Sequence, residues 1–237
     1  MYKRQVEDVD FLAPFKFYRD EPREVSVHVV VTAEGAELFA HCRLEGERLL
    51  AGQETPQRSV HFTGTVRLGQ NPPEAGRVDP VVLDGAAVEA SDVYRVYFHG
   101  PAYQVLTRVA ASEDGAAGQF ATDLPANHAG DVDTVTEPRL IELAFQTAGV
   151  LEIGTTGVMA LPMHLDRVVP YERAAGAPVV AVVRPRHQTG ERIVDADVID
   201  GDGRLLVTLT GYRTSPLPAP VPDDLAAPLR DAMDPEA

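Results

Sequence analysis

Alternation of apolar and polar residues predicts β-strands along most of the chain. Val25, Val27, Val29 and Val31 occupy every second position of EVSVHVVV, the pattern of a strand with one apolar face. Other β-rich runs before the centre are VEDVDFLAPFKFY, broken at Pro14, then ELFAHCRL, SVHFTGTVRL and QFATDL. The β-rich runs after the centre are MALPMHLDRVV, APVVAVVRP, RIVDADVID and RLLVTLTGY. AEG, EDGAAG and DGDG are predicted turns.

One segment, EPRLIELAFQTAGVLEI at 137–153, predicts a long helix instead. Pro138 suits the first helical turn, and apolar residues cover nearly the whole circumference, which is typical of a buried helix. Glu142 and Gln146 are four residues apart and therefore share a face. If that face is buried, desolvation favours the protonated carboxyl and makes Glu142 a candidate general acid. If it meets solvent, the pair has no special role, and the pattern leaves both readings open.

The order of these elements predicts an α+β fold in which one antiparallel sheet wraps around one helix. Residues 69–91 contain Pro72, Pro73, Gly76, Pro80 and Gly85, which indicates a connector between two β units. From Ser215 the chain is rich in Pro, Ala and Asp. It is predicted to be a linker or frayed end with a short helix near residues 225–233.

The composition argues against several classes of function. The 237 residues are 44% hydrophobic, which fits one large or two small globular domains, and a net charge of -15 argues against nucleic-acid binding. Cys42 is the only cysteine, so neither a disulfide framework nor a zinc site is predicted. His28, His41 and His61 are expected to be ordinary strand residues. With no signal peptide and no apolar run of membrane-spanning length, the expected location is the cytoplasm.

Two motifs together carry a resemblance to a known family. YRVYFHGPAYQVL, at 94–106, resembles the Tyr-Gly-Pro-x-Phe-Gln region of dehydratase domains in polyketide synthases and polyunsaturated fatty acid synthases. His99 stands where many members have Tyr. PRLIELAFQ is similar to their Pro-x-Leu-Leu-Asp-x-x-x-Gln motif, with Glu142 at the catalytic Asp and Gln146 at the Gln.

The resemblance implies a double hotdog, in which each hotdog is an antiparallel sheet curled around a long helix. Residues 1–70 would be the last part of an incomplete first hotdog and 71–91 a linker. Residues 92–218 would form the second hotdog and 219–237 a disordered or linker tail.

The resemblance also implies a site and partners. Glu142 would be the catalytic acid and Gln146 its hydrogen-bonding neighbour. The loop with Tyr97, His99, Gly100, Pro101 and Tyr103 would line the substrate tunnel. The substrate would be a 3-hydroxyacyl thioester on an acyl carrier protein, handled beside other synthase domains. No cofactor or metal is expected, and a homodimer would follow the habit of the family.

Two departures from the family pattern matter. Its catalytic histidine lies in a His-x-x-x-Gly-x-x-x-x-Pro motif that this sequence does not contain. That motif is expected before residue 6, where MYKRQ resembles the translation of a transposon adaptor used in DNA sequencing. We therefore expect an N-terminally truncated gene, the alternative being a genuine short N-terminus. Glu replaces Asp at 142, although related single-hotdog dehydratases use Glu.

Two other classes of function stay open at this point. A non-catalytic hotdog could bind acyl chains or scaffold a synthase. A thioesterase or isomerase is also possible, because one fold hosts several chemistries.

Overall fold

A computed structural model describes residues 3–16, 22–48, 52, 55–83, 85–123, 137–171, 178–188 and 191–234. Its strands are β1 (Lys3–Phe11), β2 (Val25–Glu34), β3 (Glu37–Arg48), β4 (Gln57–Gly69), β5 (Ala87–Glu89), β6 (Leu106–Ser112), β7 (Gly115–Phe120), β8 (Val158–Pro170), β9 (Val179–Gln188), β10 (Glu191–Asp200) and β11 (Leu205–Pro220). The helices are α1 (Ala90–Val96), α2 (Pro138–Thr156) and α3 (Asp223–Met233), with a 3₁₀ turn at Pro101–Tyr103.

The described strands form one antiparallel sheet in the order β2-β3-β4-β1-β8-β11-β10-β9-β7-β6-β5. β1 joins its two halves, because Val6 pairs with Val66 of β4 on one side and with Val168 of β8 on the other. Lys3, Arg4 and Gln5 of the predicted adaptor segment belong to this strand and pair with residues 67–69.

The long helix α2 lies against one half of this sheet. It starts with Pro138 and ends at Thr156, and it is capped by Gly157, whose φ of 72° lies in the left-handed region and whose N–H donates to the Ile153 carbonyl. Its buried side chains include Leu140, Leu143 and Val150. The helix approaches β7 closely, since a Cβ at Gly118 would lie 2.2 Å from Thr147 Oγ1.

The end of the chain differs from the predicted frayed tail. β11 continues to Pro220, and α3 packs on α2 with Ala226, Leu229 and Ala232 buried. The short helix therefore lies where the sequence indicates it, but its apolar face is part of the main core.

Two local boundaries also differ from the sequence prediction. The turn predicted at EDGAAG is confined to Glu113 and Asp114, and the following Gly115 already belongs to β7. Within the predicted connector, Leu83 is buried, and β5 pairs with β6 before the predicted start of the second unit at residue 92.

The described part of residues 3–69 contains four strands and no helix. β2 forms one edge of the described sheet, and all ten of its residues are exposed. The four alternating valines and Val30 are between 44% and 65% exposed, so the predicted apolar face is uncovered. Among the described helices, none has the length and apolar character needed to cross a membrane.

Candidate active site

Glu142 and Gln146 of α2 face a cavity of about 200 Å³. Its walls come from the loop after α1, from α2, from the start of β8 and from β11. The lining residues are Tyr97, Phe98, His99, Glu142, Phe145, Gln146, Gly149, Met159, Ala160, Leu161, Pro162, Tyr212 and Thr214. The walls are therefore mainly apolar around a small polar group.

Two nitrogen atoms contact the same oxygen of Glu142. Gln146 Nε2 donates to Glu142 Oε1 at 2.9 Å, and His99 Nε2 lies 3.0 Å from that oxygen. The side chains of Glu142 and His99 are only 21% and 23% exposed. The carboxyl group is therefore held from its own helix and from a separate loop.

Gln146 is 2% exposed and is the centre of the polar network. Its Nε2 also donates to the Tyr103 carbonyl at 2.8 Å, and its Oε1 accepts from the Tyr94 hydroxyl at 2.8 Å. The Tyr94 hydroxyl accepts in turn from the Leu106 N–H at 2.8 Å. A buried amide with every polar atom bonded orients its neighbours rigidly, since losing a partner would leave a desolvated group.

Three tyrosines near Glu142 are held in the neutral form. Burial raises the pKa of Tyr94 to about 12, and the nearby charge of Glu142 acts in the same direction. Burial also raises the pKa of Tyr97 and of Tyr212 far above the ordinary value, again with a contribution from Glu142. The three hydroxyls are therefore protonated near neutral pH, and those of Tyr94 and Tyr97 donate to Gln146.

The predicted loop residues divide into two groups. Tyr97 and His99 line the cavity, and the Tyr97 hydroxyl donates to the Gln146 carbonyl at 3.0 Å. Gly100, Pro101 and Tyr103 are not among the residues that line it. They form the supporting 3₁₀ turn, in which the Tyr103 N–H donates to the Gly100 carbonyl at 2.9 Å.

Several residues of the site were not among the sequence candidates. Tyr94 lies in the last turn of α1, three residues before Tyr97, which caps the C-terminus of that helix. Phe145 and Tyr212 stack with ring centres 4.5 Å apart, and β8 contributes residues 159–162. These contacts join distant parts of the chain, so no local pattern could reveal them.

A second cavity of about 320 Å³ lies beside the first and shares Tyr212 and Thr214 with it. Its charged lining residues are Arg186, Arg192 and Glu152, the last of which lies ten residues after Glu142 on α2. Glu152 Oε2 accepts from Thr214 Oγ1 at 2.8 Å, and Arg192 Nη1 lies 3.9 Å from its Oε1. Leu151, Ile193 and Val194 make much of the remaining wall apolar.

The other histidines with described side chains make structural contacts elsewhere. His41 lies between Thr32 and Thr65, and His61 is within 3.0 Å of the Ala13 carbonyl. His28 pairs with Glu45, and His164 lies between Asp10 and Asp166. His128 lies outside the described residues. In the described ranges, no cluster of His, Cys, Asp and Glu has a composition suited to a metal ion.

Comparison with known proteins identifies relatives of this arrangement. The sequence matches the family described as "Polyketide synthase dehydratase N-terminal domain" over residues 67–224, more than half of the chain. No curated protein matches.

Among solved structures, the dehydratase domain from the CurF module of Curacin polyketide synthase is similar at 22% identity and a TM-score of 0.72, covering 91% of this chain and 77% of that chain. A trans-AT PKS dehydratase domain from Brevibacillus brevis gives 19% identity and a TM-score of 0.68, covering 91% and 76%. An inactive CurK dehydratase mutant, with Asp replaced by Asn, gives 17% identity and a TM-score of 0.66, covering 92% of this chain and 78% of that chain. The antiparallel sheet, its few helices and these neighbours fit a hotdog fold.

Proposed function

Because the chain belongs to the polyketide synthase dehydratase family, we propose that it takes part in removing water from a 3-hydroxyacyl thioester on an acyl carrier protein. The pathway would be polyketide synthesis, and the same elimination serves polyunsaturated fatty acid synthesis. The observation that carries the proposal is the position of Glu142, whose carboxyl faces a mainly apolar cavity while one of its oxygens is contacted by two side-chain nitrogens.

In the proposed reaction, Glu142 is the general acid. A base removes the proton from Cα, the electrons of that C–H bond form the double bond, and the bond from Cβ to the hydroxyl breaks. Glu142 protonates the departing hydroxyl, which leaves as water, and the carboxylate regains a proton before the next turnover. Gln146 orients the acid, and the apolar walls limit access of water to it.

The base is proposed to come from a segment that the described residues do not include. His99 is the only described histidine that lines the cavity, and its Nε2 is already engaged with Glu142. This supports the interpretation that the first hotdog is incomplete here and that its histidine completes the site. In the CurK dehydratase, replacing one histidine with phenylalanine gives an inactive mutant, which agrees with a requirement for two groups.

The second cavity is a suitable place for the far end of the acyl chain. It adjoins the Glu142 cavity across Tyr212 and has apolar walls at Leu151, Ile193 and Val194. At 1.5 Å of rise per helical residue, Glu152 lies about 15 Å along α2 from Glu142. The size of the second cavity would therefore limit the length of the acyl chain.

The first test measures turnover of a 3-hydroxyacyl N-acetylcysteamine thioester by two forms of the protein. One is the 237-residue chain, and the other carries an added N-terminal segment with the family's histidine motif. We expect turnover only in the extended form. Turnover by the 237-residue chain would show that a histidine within it acts as the base, with His99 and His164 as the candidates. His164 is less suitable because it is held between Asp10 and Asp166.

The second test assigns the acid. Glu142→Gln in the extended form keeps shape and hydrogen bonding but removes the ionisable proton, so the rate should fall by about 10²–10⁴. Gln146→Ala should reduce the rate less, since it only disturbs the orientation of the acid. Melting curves of both variants control for folding. Turnover near the wild-type rate in Glu142→Gln would end the assignment of Glu142 as the general acid.

A further inference from the structure

His99 is placed to control the geometry of Glu142. Its Nε2 lies 3.0 Å from Glu142 Oε1, the oxygen that also accepts from Gln146 Nε2. The other ring nitrogen, Nδ1, is buried and has no hydrogen-bond partner among the described residues. A buried N–H without an acceptor is costlier than a buried acceptor without a donor, so we assign the ring proton to Nε2.

The loop around His99 gives its ring little freedom. The ring stacks on Phe98 with centroids 5.2 Å apart and meets the edge of Tyr97 at 5.4 Å. The His99 carbonyl accepts from Gln104 Nε2 at 3.0 Å. The loop is attached to α2 at two further points, because Tyr97 donates to the Gln146 carbonyl and Gln146 donates to the Tyr103 carbonyl.

Two donors on one oxygen determine where the proton of the acid lies. A protonated carboxyl carries its hydrogen on one oxygen and accepts through the other. Since Oε1 accepts from both Gln146 and His99, the proton of Glu142 belongs on Oε2. Gln146 holds the carboxyl from its own helix, and the donor on the loop adds a second, separate point of attachment.

We propose that His99 is a positioning residue that holds Glu142 Oε1 and so makes Oε2 the proton-donating oxygen of the site. This inference rests on the proposed function, in which Glu142 is the acid. The sequence indicated that His99 contacts the substrate. Its proposed role is instead to orient the carboxyl group of Glu142. Gln at this position would also offer an N–H donor, whereas Phe would keep the ring stacking and offer none.

The kinetic test compares His99→Phe and His99→Gln in the extended form with the same N-acetylcysteamine thioester. We expect His99→Phe to lower kcat about 10- to 100-fold with little change in KM, as for a lost hydrogen bond to a reacting group. His99→Gln should restore most of kcat. His41→Phe is the matched control, since it removes a histidine bonded to Thr32 and Thr65 outside the cavity.

Each departure from that pattern overturns the proposal. A rise in KM alone would mean that His99 only binds substrate, and a loss of kcat in His99→Gln equal to that in His99→Phe would make its ring a base. If Glu142→Gln also keeps full turnover, the proposed function fails as well. If Glu142→Gln is slow while His99→Phe is as fast as wild type, only the role of His99 fails.

A second measurement does not depend on turnover. In the ¹⁵N-labelled 237-residue chain, the Nε2 proton of His99 should exchange slowly with water in the wild type and in Glu142→Gln, which retains an acceptor oxygen. It should exchange rapidly in Glu142→Ala. A ring proton equally protected in Glu142→Ala, or unprotected in the wild type, would contradict the contact on which the proposal depends.

Discussion

The side-chain amide and the backbone carbonyl of Gln146 are both hydrogen-bonded, so this one residue connects several parts of the site. Its side chain bonds Glu142, Tyr94 and the Tyr103 carbonyl, and its backbone carbonyl accepts from Tyr97. Because the residue is buried, each bond replaces one that water would have made. The orientation of the Glu142 carboxyl thus depends on groups contributed by α1, α2 and the loop after α1.

Tyr94 supplies a test of this network through the pH dependence of stability. Its pKa is about 12 in the folded protein, raised mainly by burial from an ordinary value of 10.0. Folding therefore favours the protonated form, and this contribution is complete below pH 10 and is lost as pH rises towards 12. We expect Tyr94→Phe to lose less stability at alkaline pH than the wild type. Part of the loss should remain, because Tyr97 and Tyr212 still ionise there.

At pH 8 the same variant should be less stable by about 1–3 kcal/mol, because the Leu106 N–H and Gln146 Oε1 lose their partner. Urea unfolding at pH 8, 10 and 11 measures both effects, and Tyr171→Phe, at the residue that follows β8, is the control. If the free energy of unfolding fell equally with rising pH in the wild type and in Tyr94→Phe, that result would contradict the conclusion that burial raises the pKa of Tyr94.

At the scale of elements, α2 could be predicted and the packing of α3 could not. Pro138, the apolar circumference and the spacing of Glu142 from Gln146 are local features of one segment. The docking of α3 depends on Gly154 of α2, where a Cβ would lie 2.5 Å from Met233 Cγ. That fit joins residues far apart in sequence, and the Pro- and Asp-rich composition of the tail indicated a frayed end instead.

The packing of α3 is tested by Leu229→Ala. Leu229 is completely buried, so its truncation should destabilise the protein by about 2–5 kcal/mol. Leu225→Ala, at a partly buried position of the same helix, should cost less. Thermal and urea unfolding of the two variants gives the comparison. A frayed tail would leave both variants as stable as the wild type.

At the scale of the whole molecule, the central position of β1 decides the architecture. This strand pairs with β4 and also with β8, more than 150 residues away in the case of Asp10 and His164. Alternation of residues predicted most of the strands, but alternation says nothing about which strands are neighbours. Most of the strands were therefore accessible from sequence, whereas the neighbours of β1 in the sheet depend on long-range pairing.

The uncovered face of β2 gives the last prediction. Val27, Val29 and Val31 are each at least half exposed, and β2 is an edge strand of the described sheet. Exposed apolar edges favour pairing between copies, because association removes apolar surface from water and pairs free backbone groups. We expect the 237-residue chain to self-associate increasingly with concentration in sedimentation velocity experiments.

The double variant Val29→Lys with Val31→Lys should shift this association to higher concentration, since it places charges on the edge. Val82→Lys is the matched control, because Val82 is 73% exposed but lies in the connector. If an incomplete first hotdog leaves these valines uncovered, the extended form should also associate less than the 237-residue chain. Identical sedimentation of all four proteins would mean that this face is not an association surface.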